Sequence, residues 1–218
     1  MHSSKSASNN RADRNAPWGC EGEGESPANL LLNNAYRHYI TVLVAKIAKL
    51  LGHDGDAATY AAAAKRLAAA INTALYNESS GVYVDMRQTH LIMPLATGVV
   101  PQAAEARVTQ NLEKAIHGCG DPVLGCGHVD TGLTATYFLI KHLTETDRND
   151  LIFTMANQTT FPSYGFFLER GLTTWPEDWH VSTGDSLMHG CYNSIGLWHL
   201  EGIAGIKFDA SDPECPLT

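Results

Sequence analysis

The stretch NLLLNNAYRHYITVLVAKIAKLLG, residues 29–52, decides the fold class, because its apolar residues recur at helical spacing. The residues predicted to share its buried face are Leu32, Tyr36, Tyr39, Leu43, Ile47 and Leu50. Gly52 is a suitable C-cap, and an alanine-rich stretch follows at once with Asp54 or Asp56 as its N-cap. Such a short connection predicts that the two helices are antiparallel neighbours.

The rest of the chain continues this pattern of helices joined by short loops. Apolar periodicity predicts further helices in the stretches 88–98, 101–118, 130–147, 148–161, 163–171 and 186–206. A strand signal is found in GVYVD, residues 81–85. The sequence therefore predicts an all-α protein of paired antiparallel helices, arranged as a toroid or solenoid whose repeat is one of shape only.

Composition and charge narrow the classes of function. The 218 residues carry 15 basic and 23 acidic side chains, a formal net charge of −8. This charge argues against nucleic acid and against an anionic membrane surface as partners. No apolar run approaches the ~20 residues needed to span a bilayer. The polar stretch 1–28 lacks the apolar centre of a secretory signal, so we expect an irregular or disordered lead-in and, by default, a cytoplasmic protein.

The five cysteines have irregular spacing and form a poor disulfide framework, so reduced thiols are the default expectation. The stretch HGCGDPVLGCGH, residues 117–128, combines the residue types of a tetrahedral zinc site, namely His117, Cys119, Cys126 and His128. Their spacing matches no common zinc motif, and a disulfide between the two cysteines is an alternative. The preferred interpretation is a Gly/Pro-rich loop between two helices, with no metal or cofactor required.

A site for chemistry is indicated by GLTTWPEDWH, residues 171–180. Glu177 and Asp178 stand between Trp175 and Trp179, and the proline before the acids disfavours a regular helix. Aromatic rings stack on sugar faces, while a carboxylate moves protons or holds hydroxyls. The pairing predicts one wall of a sugar pocket. The plainer alternatives are a solvated loop glutamate and tryptophans packed in the core.

Five motifs, in matching order, give the chain a resemblance to glycoside hydrolase family 78, the α-L-rhamnosidases. They are QTHLIMPLATGVVP (88–101), FPSYG (161–165), GLTTWPEDW (171–179), SLMH (186–189) and GIAGI (202–206). The resemblance implies that residues 29–208 form the C-terminal part of an (α/α)6 catalytic toroid, followed by a tail at 209–218. It also implies an inverting glycosidase with two carboxylic acids standing ~6.5–9.5 Å apart.

The same resemblance implies a role for individual residues. Glu177 occupies the position of the general base that activates water, with Asp178 as a supporting or exposed neighbour. His189 is expected to reach sugar hydroxyls, because a neutral imidazole both donates and accepts hydrogen bonds. The residues expected to contact the sugar are Trp175, Trp179, Tyr164, His189 and His128, with Trp179 favoured as the stacking platform. Ordinary helix histidines and core aromatic residues are the alternatives.

The chain also departs from this family. The family's general acid lies in an upstream acidic stretch, and EGEGE at 21–25 lacks its pattern. One hypothesis is therefore an α-L-rhamnosidase-like hydrolase, as a fragment without the general acid. The second is a non-catalytic or degenerate toroid that binds sugar, and another six-hairpin glycosidase or lyase ranks third. A partial toroid exposes apolar helix sides at its cut face, which predicts self-association.

Overall fold

The computed structural model describes residues 26–118, 126–181 and 186–207 of the chain. The chain divides into two compact units, Met1–Ala115 and Ile116–Thr218. Most of the described residues are helical, as the sequence predicts. Among them, no helix is both long and apolar enough to cross a lipid bilayer.

The first unit is built on the predicted helical hairpin. Helix α1 (Pro27–Leu50) begins at Ser26, whose hydroxyl accepts a hydrogen bond from the third residue of the helix, Asn29. Gly52, with a φ of 76°, lies in the turn, and its left-handed conformation is one that glycine adopts without strain. Helix α2 (Asp54–Leu75) then packs along α1.

The buried face of α1 differs from the predicted one. Its buried residues are Asn29, Leu31, Leu32, Ala35, His38 and Ala48. Leu32 is thus correctly predicted, whereas the prediction is wrong for Tyr36, Leu43, Ile47 and Leu50, which are all exposed. Apolar residues occupy both sides of α1, so periodicity alone does not tell which side packs against the rest of the unit.

The remainder of the first unit follows the sequence prediction. Strands β1 (Tyr76–Asn77) and β2 (Val82–Tyr83) form an antiparallel hairpin, and β2 lies within the strand predicted at 81–85. Helices α3 (Gln88–Ala96) and α4 (Gln102–His117) come next, and α3 is buried along almost its whole length. The Asn111 amide donates to the Gly81 carbonyl at 2.8 Å, which ties α4 to the β-hairpin.

The second unit contains shorter helices. They are α5 (Leu133–Glu145), α6 (Asn149–Ala156), α7 (Tyr164–Glu169) and α8 (Ser194–Trp198). A 3-10 turn at Gly190–Tyr192 precedes α8, and a π-helical turn at His199–Ile203 follows it. The prediction of one continuous helix over 186–206 is therefore wrong, because residues 186–189 are not helical.

The zinc interpretation of residues 117–128 is wrong for Cys126. This cysteine is disulfide-bonded, so its thiolate is not free to bind a metal, and the expectation of reduced cysteines fails at this position. Cys119, the other half of the predicted disulfide, lies outside the described residues. Within the described ranges, no three His, Cys, Asp or Glu side chains are grouped as metal ligands.

Candidate functional site

Glu177 lies in an irregular loop, residues 172–181, which we call the glutamate loop. Its path is fixed by hydrogen bonds to residues 186–189, the paired segment. The Glu177 amide donates to the Ser186 carbonyl at 3.0 Å. Two more bonds join the same stretches, from the His189 amide to the Trp175 carbonyl at 2.7 Å and from the Thr174 hydroxyl to the Leu187 carbonyl. Each stretch therefore supplies backbone partners that a helix or strand otherwise provides.

The paired segment brings His189 to the side chain of Glu177. The distance from His189 Nδ1 to Glu177 Oε2 is 3.5 Å, and the two side chains are 41% and 37% exposed. A half-exposed carboxylate is within reach of water, and the neighbouring imidazole can donate or accept a hydrogen bond. The structure thus joins the two residues that the sequence predicts as general base and hydroxyl contact.

Trp179 anchors the glutamate loop to the interior of the second unit. Only 3% of the residue is exposed, and its indole Nε1 donates to the Thr131 carbonyl at 2.7 Å. Its ring stacks on Phe167 with centroids 5.0 Å apart and contacts Tyr192 at 4.1 Å. A ring enclosed in this way has no open face for a sugar, so its position is that of a core residue.

The other predicted rings differ in exposure. Trp175 is half-buried and packs edge-to-face against Tyr164, with centroids 5.3 Å apart. Tyr164 is buried, and its hydroxyl donates to the Tyr192 carbonyl at 3.2 Å. Burial raises the pKa of Tyr164, so its hydroxyl remains neutral. Among the three predicted sugar-contacting rings, Trp175 is therefore the one that is partly open.

His128 is buried and bonded through both ring nitrogens. Nε2 lies 2.7 Å from the Thr160 hydroxyl, and Nδ1 lies 3.1 Å from the Cys126 carbonyl. In the tautomer that fits, Nδ1 donates to the carbonyl and Nε2 accepts from the threonine. These contacts link two loops of the second unit and occupy the groups that a sugar would need.

Asp178 and His180 contact each other within the glutamate loop. Asp178 Oδ1 accepts a hydrogen bond from the His180 amide at 2.7 Å, which is an Asx turn, and lies 3.4 Å from His180 Nδ1. The His180 ring packs on Phe161 at 4.5 Å between centroids. Sequence reasoning missed the supporting rings Phe167 and Tyr192, although the aromatic run after FPSYG is a signal for the first of them.

Comparison with known proteins adds independent evidence. The family model described as the bacterial alpha-L-rhamnosidase 6 hairpin glycosidase domain matches residues 2–203. An alpha-L-rhamnosidase of Formosa agariphila is 28% identical over 208 residues, which are 91% of this chain and 22% of the relative. An alpha-L-rhamnosidase structure from Dictyoglumus thermophilum matches with a TM-score of 0.71 and 30% identity, over 81% of this chain and 20% of that one.

A structure of Streptomyces avermitilis alpha-L-rhamnosidase complexed with L-rhamnose matches with a TM-score of 0.72 and 28% identity. The match covers 84% of this chain and 18% of that one, so the chain spans about a fifth of the length of these relatives. These matches confirm the predicted fold class, an all-α part of a six-hairpin glycosidase domain. The chain belongs to the bacterial α-L-rhamnosidase family, within its six-hairpin glycosidase domain.

Proposed function

We propose that the chain carries the water-activating side of an inverting α-L-rhamnosidase site, with Glu177 as the general base and a terminal α-L-rhamnose as the substrate. The observation that carries the proposal is the Glu177–His189 pair, whose side chains meet at 3.5 Å on two stretches that fix each other. Family membership supplies the class of reaction.

In this mechanism, the Glu177 carboxylate takes a proton from water while the water oxygen attacks the anomeric carbon of rhamnose. The glycosidic C–O bond breaks as the new bond forms, so the α-linkage yields β-L-rhamnose. The leaving oxygen takes its proton from a general acid, which we do not assign to a residue of this chain. His189 faces Glu177 through Nδ1, which leaves Nε2 for a sugar hydroxyl.

The aromatic residues divide into two roles in this proposal. The half-buried Trp175 is the ring that stacks on the sugar. Trp179 and Tyr164 do not contact the sugar in this proposal. Their burial and hydrogen bonds hold the glutamate loop in place. We place His128 with the supporting residues for the same reason.

The test is hydrolysis of p-nitrophenyl α-L-rhamnoside by the chain, its Glu177→Gln variant and a matched Asp178→Asn control. Loss of a general base lowers kcat by about 10²–10⁴-fold, and we expect this loss for Glu177→Gln alone. ¹H NMR of the first product is expected to show the β-anomer. Equal losses in the two variants, or an α-anomer, would contradict the proposal.

A non-catalytic sugar-binding chain is the second candidate, favoured by the fact that the acidic stretch EGEGE at 21–25 lacks the pattern expected around the general acid. It predicts no turnover but saturable binding of L-rhamnose, weakened by Trp175→Ala. Titration calorimetry distinguishes the two candidates. A chain with neither turnover nor binding would contradict both.

We also propose self-association through the exposed side of α1. The residues Tyr36, Ile40, Leu43, Ile47 and Leu50 are all exposed and recur at alternating spacings of four and three residues. This spacing is that of a coiled-coil contact, so we call these residues the α1 seam. A second copy of the chain offers the same seam, and association buries both.

A further inference from the structure

An open cleft of about 620 Å³ lies in the first unit. Its walls come from the end of α2, the β-hairpin and the start of α4, and they include Tyr76, Glu78 and Pro101. The reaction proposed above uses none of these residues. The volume falls within the range of small-ligand sites, ~300–1,000 Å³.

Hydrogen bonds between protein groups hold the walls of the cleft in place without a ligand. The Asn72 amide donates to the Val99 carbonyl at 2.8 Å, which ties the end of α2 to the segment before α4. The Arg107 guanidinium donates to the Glu78 carbonyl at 2.6 Å and also to the Ser79 carbonyl. The cleft is therefore formed before a ligand enters, which lowers the entropic cost of binding.

One wall of the cleft carries polar groups with unused hydrogen-bonding capacity. The Thr73 hydroxyl, the Tyr76 hydroxyl and the Glu78 carboxylate have no hydrogen-bond or ion-pair partner among the described residues. The start of α4 and the residue before it add an apolar part of the lining, from Pro101, Ala103 and Ala104. A ligand for this cleft must combine hydroxyl groups with an apolar surface.

The charges in the cleft restrict the ligand further. Arg107 uses one N–H of each terminal nitrogen for a backbone carbonyl, so its guanidinium is held in place and keeps fewer donors for a bidentate contact with an anion. Glu78 adds a negative charge to a chain with a net charge of −8. Phosphates, carboxylates and sulfates are therefore disfavoured in this cleft.

A neutral sugar meets these requirements, because a pyranose has hydroxyls at its edge and an apolar face that stacks on an aromatic ring. We propose that the cleft is a second carbohydrate-binding site, specific for neutral pyranosides, with Tyr76 as the stacking ring and Thr73 and Glu78 as hydroxyl partners. The site binds sugar without cleaving it, and the proposal does not depend on the activity of Glu177.

The test is a ¹H–¹⁵N NMR titration of the full chain with methyl α-L-rhamnoside. We expect saturable shifts of amides around residues 73–78 and 101–104. Loss of a stacking ring corresponds to about a tenfold loss of affinity, which we expect for Tyr76→Ala. Tyr60→Ala is the matched control, because Tyr60 is an exposed tyrosine on α2, the helix that precedes Tyr76, and does not line the cleft. Because Tyr76 also packs on Tyr83 at 5.0 Å, Thr73→Val provides a second variant that keeps this contact.

Two further arms make the result decisive. D-glucuronate is expected to leave the cleft amides unshifted in the wild type and to shift them in Glu78→Gln, because the repelling charge is removed. Trp175→Ala is expected to leave the cleft titration unchanged, so failure of the Glu177 site and failure of the cleft are seen separately. Absence of saturable cleft shifts, or equal affinity in Tyr76→Ala and the wild type, would overturn the proposal.

Discussion

The glutamate loop and helix α1 show opposite relations between secondary structure and burial. The loop has neither helix nor strand, yet Trp179 within it is 3% exposed. Helix α1 is regular over 24 residues, yet Leu50 at its end is 86% exposed. Regular secondary structure is thus a poor guide to how firmly a segment is anchored in this protein.

The difference follows from where each backbone finds its hydrogen-bond partners. A helix satisfies its own backbone groups, so α1 can keep an apolar side exposed. A loop must find backbone partners elsewhere, and the glutamate loop finds them in the paired segment. The indole of Trp179 holds the loop in addition by donating to the Thr131 carbonyl. The conformation of the loop therefore depends on tertiary contacts. The conformation of α1 depends mainly on its own hydrogen bonds, and only one side of the helix packs against the rest of the unit.

The largest expected effect is that of Trp179→Ala, which removes the anchor of the loop. A buried tryptophan replaced by alanine costs about 3–5 kcal/mol, because its packing is lost and a cavity remains. We expect a loss of this size in the free energy of unfolding of the second unit, measured by urea denaturation. Trp175→Ala is the matched control and should cost clearly less, since Trp175 is half-buried. Equal losses would show that the loop is not anchored through Trp179.

The next comparison lies within α1 itself, between its buried and exposed sides. Leu31 is 1% exposed, so Leu31→Ala should cost about 2–5 kcal/mol of unfolding free energy. Leu50→Ala should stay within about 0.5 kcal/mol, as expected for a surface substitution. Urea denaturation of both variants measures the difference. A larger loss of unfolding free energy for Leu50→Ala than for Leu31→Ala would instead support the buried face that the sequence predicts.

These comparisons show which parts of the fold can be predicted from sequence. The places of most helices were predictable, because apolar periodicity acts locally. Their ends were less so: the helix predicted over 148–161 ends at Ala156, and the N-cap of α2 is His53 rather than Asp54 or Asp56. The buried side of α1 was not predictable, since its two sides are both apolar and their partners lie elsewhere in the chain. The helix predicted over 186–206 fails for a similar reason, because residues 186–189 bond to the distant glutamate loop.

The candidate site divides in the same way. Glu177 and His189 could be predicted from the sequence motifs that contain them, and the structure brings their side chains together. The anchoring of Trp179 was not readable, because its partner is a carbonyl oxygen 48 residues away. Backbone carbonyls carry no residue-type signal, so sequence cannot tell a buried tryptophan from a sugar platform.

A smaller effect is expected from pH on the buried side of α1. Burial lowers the pKa of His38 from its ordinary value of 6.5, and the hydrogen bond to the Thr97 carbonyl opposes this in part. The unfolded chain therefore binds more protons between the two pKa values, and stability rises with pH there. The contribution of His38 is complete above about pH 6.5 and falls as the pH drops through the lower folded value.

His38→Gln tests this dependence, because glutamine can still donate to the Thr97 carbonyl but does not titrate. The free energy of unfolding of the wild type should fall more steeply than that of the variant as the pH is lowered from about 7 to 5. Other titrating groups are common to both proteins and cancel in the difference. Parallel pH profiles would show that His38 is not responsible.

The smallest expected change in stability belongs to the α1 seam, where the measured quantity is association. Leu50→Lys should change the free energy of unfolding by no more than about 0.5 kcal/mol, since Leu50 is exposed. In sedimentation equilibrium, however, the wild type should show a mass that rises with concentration, and the variant should remain nearer the monomer. Each copy carries a net charge of −8, so two copies repel at low salt and wild-type association should strengthen as salt screens this charge. A wild type that remains monomeric at every concentration and salt would mean that an exposed helix side at this spacing does not suffice for pairing.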